Sequence, residues 1–223
     1  MVGLFGQVGV GRSRGAEKVE QLVEHFSTLH RHVPYLQANF LFGIEGDADE
    51  VEDSIALTKR FMSRTPFVWP VVNIPHPFGG TRLFERCRAE GRILTAMPFG
   101  FYYSPYLVTV PEHDSPVAYY ERLIDLFTHF TAPTMLAARL ASSVHPFIRL
   151  VHRVRTQVKR RRLAAFRRLA LRLRADSGFR AFHDGSDPRL PEVYHHEYDR
   201  LLGRFAPLLG RDDRRPVLDP APV

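Results

Sequence analysis

Two glycine-containing segments close short apolar runs of the sequence and carry groups that could bind a small ligand. The first run is followed by Gly43, Ile44, Glu45, Gly46 and Asp47, and the second by Asn73, Pro75, His76, Pro77, Phe78, Gly79 and Gly80. In parallel α/β proteins, ligands bind beyond the carboxyl ends of the strands, where glycine lets a ligand approach the backbone. These two segments form a candidate binding site. Two ordinary tight βα turns would have the same composition, and this alternative stays open.

The N-terminal segment at residues 6–13, GQVGVGRS, offers a second kind of site. It matches the phosphate-binding loop G-x-x-x-x-G-K-[ST] except that Arg12 stands where the lysine should be. The backbone N–H groups of such a loop can cradle a phosphate, but a forked guanidinium is a poor substitute for a compact ammonium. Nucleotide binding through residues 6–13 is therefore an alternative to a simple flexible, glycine-rich N-terminus.

The supply of metal and redox ligands is poor. The chain has one cysteine, Cys87, which excludes an internal disulfide framework and a cysteine-rich zinc site. Its histidines lack metal-binding spacing such as H-E-x-x-H, so satisfied or exposed histidines are expected. The sequence contains no run of about 18 apolar residues and no secretory signal pattern. These features predict a cytoplasmic protein without a membrane-spanning helix, and they assign no catalytic or metal-ligating residue.

The formal net charge of +7 is concentrated in one segment. Residues 149–174 contain eleven lysines and arginines and no acidic residue. Apolar residues recur there at helical spacing, which predicts a long amphipathic helix with one apolar face formed by Val151, Val154, Val158, Ala165, Leu169 and Leu173. The candidate contacts to an anionic surface are Lys159, Arg160, Arg161, Arg162, Arg167 and Arg168.

Three roles are open for this basic helix. It could dock on the domain with a solvated arginine face, or it could lie on an anionic membrane surface. Nucleic acid is the least favoured partner, because only Phe166 offers an aromatic ring for base stacking within the basic run.

The elements that must position the candidate site alternate between helix and strand. The sequence predicts helices at Glu17–His30, Glu50–Arg64, Arg82–Glu90 and Val117–Phe130. It also predicts buried strands at Tyr35–Ile44 and Phe67–Ile74. Thr81 is the expected N-cap of the third helix. The aromatic stretch at residues 94–111 is expected to pack on the sheet as loop or irregular strand, and a short helix is expected at residues 192–209. This order is typical of βα units and a parallel sheet.

Three segments resemble motifs of one family. The run FLFGIEGDADE at residues 40–50 is similar to F-x-x-G-x-x-G-D-x-x-E, and PFGGTRLFE at residues 77–85 is similar to P-[FY]-P-G-T-x-L-[FY]-E. Gly91, Arg92 and Ile93 resemble the G-R-[IL] that closes the next helix. Together, in this order, they resemble the C-terminal half of a radical S-adenosylmethionine barrel of the kind joined to a cobalamin-binding domain, over about half the chain.

The resemblance implies an enzyme class that uses a [4Fe–4S] cluster to cleave S-adenosylmethionine to a carbon radical. In that family, strand ends at these positions help line the cofactor pocket. The resemblance therefore implies that Gly43, Ile44 and Glu45 at the first strand end, and Asn73 and Pro75 at the second, contact the nucleoside or amino-acid part of the cofactor. The family binds its cluster through three cysteines in C-x-x-x-C-x-x-C, which this sequence lacks. Gly79 also stands where the family has proline. The cluster is therefore not expected to bind to this chain alone.

The expected fold is α/β. It comprises a partial parallel (βα) barrel over residues 1–133, a helical basic region over residues 134–210 and a disordered tail over residues 211–223. The expected function is that of a truncated or diverged radical S-adenosylmethionine protein, not catalytic alone, whose missing half lies upstream or on a separate chain. One alternative is a non-enzymatic basic module at a membrane surface or in a scaffold, and the other is the nucleotide binder described above.

Overall fold

The computed structural model describes residues 12–42, 48–143 and 145–214. The chain divides into two compact units. The first comprises Met1–Pro75 and Tyr120–Arg167, and the second comprises His76–Tyr119 and Arg168–Val223. Each unit is thus built from two separate stretches of chain, whereas the sequence suggested consecutive segments with boundaries near residues 133 and 210.

Helices dominate the described residues. In chain order they are α1 (Arg12–His30), α2 (Ala48–Arg64), α3 (Arg82–Ala89), α4 (Pro116–Thr131), α5 (Pro133–Ser142), α6 (Pro146–Ala175), α7 (Ser177–His183) and α8 (Glu192–Leu202). The strands are β1 (Leu36–Leu41) and β2 (Val68–Asn73), and short 3-10 turns lie at Phe99–Phe101, Gly203–Leu208 and Asp212–Arg214. The helices and strands that the sequence predicted are present with shifted bounds, and α5 and α7 are additional.

The two strands pair in parallel. Leu36 lies opposite Val68 and Leu41 lies opposite Asn73, and α2 connects the strands in the chain. The α/β prediction is therefore confirmed in its coarser form, a parallel βαβ unit in a mostly helical chain. Among the described residues the sheet has two strands, and its closure into part of a barrel stays a prediction.

The two faces of β1 differ in exposure. Ala38 and Phe40 are buried, whereas Gln37, Asn39 and Leu41 on the other face are exposed. The sequence-based expectation of a fully buried first strand was wrong. Its polar residues Gln37 and Asn39 alternate with the apolar ones, which is the pattern of a strand with one solvated face.

The core of the first unit contains closely packed aromatic rings. Phe166 of α6 is fully buried, with its ring centroid 5.0 Å from that of Phe127 and 6.0 Å from that of Tyr120. Phe127 also lies 4.9 Å from Phe130 within α4. These contacts hold the middle of α6 against α4.

The apolar face predicted for α6 is only partly buried, because Leu173 is buried and two of its valines are exposed. Val154 and Val158 are 55% and 56% exposed. The buried positions are Ile148, His152, Thr156, Leu163, Phe166, Ala170 and Leu173. Both sets recur at helical spacing, so the periodicity alone fits either face, and packing against neighbouring elements decides between them.

In the second unit the aromatic segment at residues 94–111 contacts α8. The ring of Phe101 lies 5.6 Å from Tyr194 and 5.3 Å from Tyr198, and the hydroxyl of Tyr106 donates to the Glu197 carboxylate at 2.9 Å. The sequence had suggested packing on the sheet, whereas these ring contacts are with a C-terminal helix.

The ordered chain extends into the predicted tail. Asp212–Arg214 form a 3-10 turn, and the guanidinium of Arg214 donates to Asp199 at 2.6 Å. The guanidinium also lies 5.5 Å from the ring of Tyr198. The rest of the predicted tail, residues 215–223, lies outside the described residues.

Candidate functional site at the carboxyl edge of the sheet

The ends of β1 and β2 lie side by side. Leu41 pairs with Asn73, and the N–H of Phe42 donates to the Asn73 carbonyl at 3.0 Å. The two segments that carry the candidate site residues therefore leave the sheet at the same edge. Asn73 is exposed there and Pro75 is partly buried. The other three candidates, Gly43, Ile44 and Glu45, lie outside the described residues.

One face of the sheet is open near this edge. Residues that pair in a parallel register share a face, so Leu41 shares its face with Asn73, and Gln37 shares the same face with Trp69. Leu41 and Asn73 are exposed, whereas Trp69, near the amino end of β2, is buried. A ligand could thus reach this face at the carboxyl end of both strands, whereas at the amino end Trp69 of β2 is covered.

The second predicted motif, PFGGTRLFE, lies in the second unit and contains the N-cap and the first residues of α3. The hydroxyl oxygen of Thr81 accepts a hydrogen bond from the N–H of Phe84 at 3.2 Å, which confirms the predicted N-cap. Gly80 and Gly91 have φ values of 80° and 66°, a backbone conformation that favours glycine. Gly79, which replaces the family's proline, does not share this conformation.

The residues described do not fit an iron–sulfur cluster. Cys87 in α3 is buried, and burial raises the pKa of its thiol, which disfavours the thiolate that ligates iron. Across the described ranges no group of three or more histidine, cysteine or acidic side chains is arranged to bind a metal ion. We therefore derive no chemistry through a cluster on this chain.

The structure brings together a group of residues that the sequence analysis missed. Arg139 of α5 and His152 and Thr156 of α6 are 1%, 0% and 1% exposed, and Arg139 lies over the ring of Trp69, 5.3 Å from its centroid. The His152 ring stacks on the same indole at 5.8 Å. A sequence signal did exist: the chain from Leu126 to Ala175 has no acidic residue, so a buried cation there cannot pair locally.

A second arginine, Arg155 of α6, also contacts Trp69. The Arg155 guanidinium lies 5.6 Å from the Trp69 ring and also 5.6 Å from the Tyr35 ring. It donates to the Tyr35 hydroxyl and, at 3.2 Å, to the side-chain oxygen of Gln37. The Arg155 guanidinium thus has two neutral oxygen partners, one on Tyr35 and one on Gln37 of β1.

The six cationic residues predicted to bind an anionic surface have different environments. Lys159 is partly buried with its ammonium 5.4 Å from the Phe127 ring, and burial lowers its pKa to about 8. Arg160 donates twice to the carbonyl of Thr131. Arg162 is partly buried, whereas Arg161, Arg167 and Arg168 are exposed.

The P-loop-like segment lies mostly outside the description, since only its last two residues, Arg12 and Ser13, fall within the described range, at the start of α1. Among the residues that the structure covers, no helix has both the length and the apolar character needed to cross a bilayer.

Comparison of the chain with protein families, with curated proteins and with solved structures finds no match. The fold and the site therefore define a class only: an α/β protein with a parallel βαβ unit whose two strand ends meet at one open edge.

Proposed function

We propose that this chain is a radical S-adenosylmethionine-like protein portion that lines a cofactor pocket and does not catalyse a reaction alone. The observation that supports the proposal is the pairing of Leu41 with Asn73 in a parallel register. Because of this pairing, the two segments that carry the family motifs follow the strands at the same edge of the sheet. The carboxyl edge is where α/β proteins bind nucleotides and related ligands.

The side chains at this edge suit the nucleoside or amino-acid part of S-adenosylmethionine. The exposed Asn73 amide can both donate and accept hydrogen bonds, and Gly43 would let a ligand approach the backbone. The cysteines for the cluster would be supplied by a missing N-terminal half or by a separate chain. In this proposal that partner supplies the remaining strands of the barrel. The open face of β1 then becomes part of the barrel interior.

The proposal predicts weak binding of S-adenosylmethionine that depends on Asn73. Saturation-transfer NMR on the full chain should show transfer to the adenosine protons of the cofactor. Asn73→Ala should remove most of this transfer, because it deletes the exposed amide at the carboxyl edge. Gln37→Ala is the matched control, since Gln37 is an exposed amide on the same face at the amino end of β1.

Gly43→Val, chosen from the sequence motif, should also abolish the transfer by crowding the approach to the backbone. Equal transfer in the wild type and in both edge variants would show that the signal does not come from this edge and would end the proposal. No transfer in the wild type would do the same for cofactor binding by this chain.

A second candidate function, attachment to an anionic membrane surface, is favoured by a specific feature of α6. Phe147, Leu150, Val154 and Val158 are each more than half exposed and follow one another at helical spacing. Exposed Arg153 and Arg161 accompany them on the same helix. An apolar stripe beside arginines is the arrangement by which surface helices bind anionic lipid.

This candidate predicts that the chain floats with phosphatidylserine-containing vesicles at low salt and less at moderate salt, because each Lys or Arg near such a surface contributes about 1 kcal/mol. Leu150→Ser combined with Val154→Ser should reduce flotation strongly. Leu201→Ser is the control, because Leu201 is an exposed leucine on α8 outside the stripe. Absence of flotation at low salt would rule out membrane attachment.

A further inference from the structure

Arg139 and His152 both contact the Trp69 ring, and Thr156 lies one helical turn beyond His152 on the same face of α6. This group has more buried hydrogen-bonding capacity than the described residues satisfy. Arg139 uses Nη1 to donate to the carbonyl of Phe130 at 2.6 Å. Its Nε and Nη2, both ring nitrogens of His152 and Oγ1 of Thr156 have no hydrogen-bond partner among the described residues. Buried polar atoms in proteins are almost always paired, so five such atoms in one group indicate a missing partner.

The charges around the group indicate what this partner is. The groups that face His152 are Arg139 from α5, Arg155 from its own helix and Tyr35 from the segment before β1. None of them is a carboxylate. Burial lowers the pKa of Arg139 to about 10, with no acidic residue acting on it. Burial, with the positive charges of Arg139 and Arg155, lowers the pKa of His152 to about 4. At neutral pH the group therefore contains a buried guanidinium beside a neutral imidazole.

We infer that this group is a binding site for a small oxyanion, namely a phosphate or a carboxylate. The guanidinium fork matches the two oxygens of either group, and a hydroxyl and an imidazole N–H can donate to the remaining oxygens. Because Arg139, His152 and Thr156 are at most 1% exposed, the site suits a small ion or a small ligand's acidic group.

The site is separate from the proposed cofactor edge. Trp69 is the second residue of β2, whereas Asn73 is the last, so the anion would bind near the amino end of the strand. The inference does not rest on the proposed function, and it survives if S-adenosylmethionine does not bind.

The experiment uses the fluorescence of Trp69, which is the only tryptophan of the chain and lies within the site. The full chain is refolded from urea in sodium phosphate, acetate or chloride at matched ionic strength and about pH 7, where Arg139 stays protonated. Phosphate or acetate, but not chloride, should change the emission with saturation and raise the melting temperature. The more effective ion identifies the ligand as a phosphate or a carboxylate.

The variants test whether the response comes from this group. Arg139→Met should weaken binding roughly tenfold to a hundredfold, and Thr156→Val should weaken it roughly threefold to tenfold, since each removes hydrogen bonds to the anion. Thr156→Val keeps the test valid if the arginine variant does not fold. Arg153→Met is the control for nonspecific attraction to the basic helix, because Arg153 is exposed on α6. An unchanged emission in all three salts, an equal response to chloride, or a full response in Thr156→Val would overturn the inference.

Discussion

Replacing Phe166 by alanine is expected to destabilise the protein by about 3–5 kcal/mol, which is the usual cost of deleting a fully buried phenylalanine side chain. Phe166 is 0% exposed and packs between the rings of Tyr120 and Phe127. The cavity would open where the middle of α6 contacts α4, and neither helix can move in without disturbing the other ring contacts. A loss of this size is a large part of the total stability of an ordinary domain.

The same helix supplies a matched control. Phe147 is 64% exposed, so Phe147→Ala should change the free energy of unfolding by less than about 0.5 kcal/mol. Phe166→Leu, which keeps most of the volume, should cost about 1 kcal/mol. Urea unfolding followed by far-UV circular dichroism would measure all three midpoints. If Phe166→Ala and Phe147→Ala shifted the midpoint equally, the assignment of the buried face of α6 would be wrong.

The helix α6 also shows why a sequence pattern can predict that a helix exists without predicting which of its faces is buried. The helix has apolar residues on two sides, and the predicted face contained Val154 and Val158, which are exposed. The actual buried face includes the polar residues His152 and Thr156. Hydrophobic periodicity treats polar residues as exposed. It therefore predicts the wrong buried face for a helix that buries polar side chains.

Local signals at helix ends were informative about where helices begin and end. Thr81 caps α3 as predicted because the N-cap preference depends on a contact three residues along the chain. Pro133 follows the end of α4 at Thr131 and is also the first residue of α5, a helix that the sequence did not predict. Proline is tolerated in the first turn of a helix, so it marks the start of a new helix as readily as the end of the previous one.

The candidate site was predictable to the extent that it depends on strand order. Parallel strands joined by a helix place their carboxyl ends together, and the pairing of Leu41 with Asn73 follows from that rule. The Arg139 group was not predictable in this way. It requires Trp69 of β2 to meet α5 and α6, which lie far along the chain, and no local pattern encodes that contact.

Lowering the pH from about 6.5 to 5 is expected to destabilise the protein strongly, because two buried histidines resist protonation in the folded state. His183 and His152 are both 0% exposed. Burial is the main cause that lowers the pKa of His183 to about 3 and that of His152 to about 4. In the unfolded chain both titrate near the ordinary histidine value of about 6.5.

The sign follows from the number of bound protons. Between about pH 4 and 6.5 the unfolded chain binds a proton at each histidine and the folded chain does not, so stability falls as the pH falls. Each histidine contributes a slope of up to about 1.4 kcal/mol per pH unit, and above about pH 7 neither contributes. Half-buried His129 and His195, whose pKa values burial also lowers, act in the same direction.

The surroundings of His183 make it the cleaner of the two to test. Its Nε2 lies 2.8 Å from the Tyr194 hydroxyl, its ring packs on Phe179 and Phe182, and Asp184 is the acidic group that acts on it. Urea unfolding in chloride buffers across this pH window should give a shallower slope for His183→Leu than for the wild type. Leu201→Gln, at an exposed position on α8 that carries no titratable group, should leave the slope unchanged. Parallel wild-type and His183→Leu profiles would contradict the prediction, because they would mean that His183 binds protons equally well in the folded and unfolded chain.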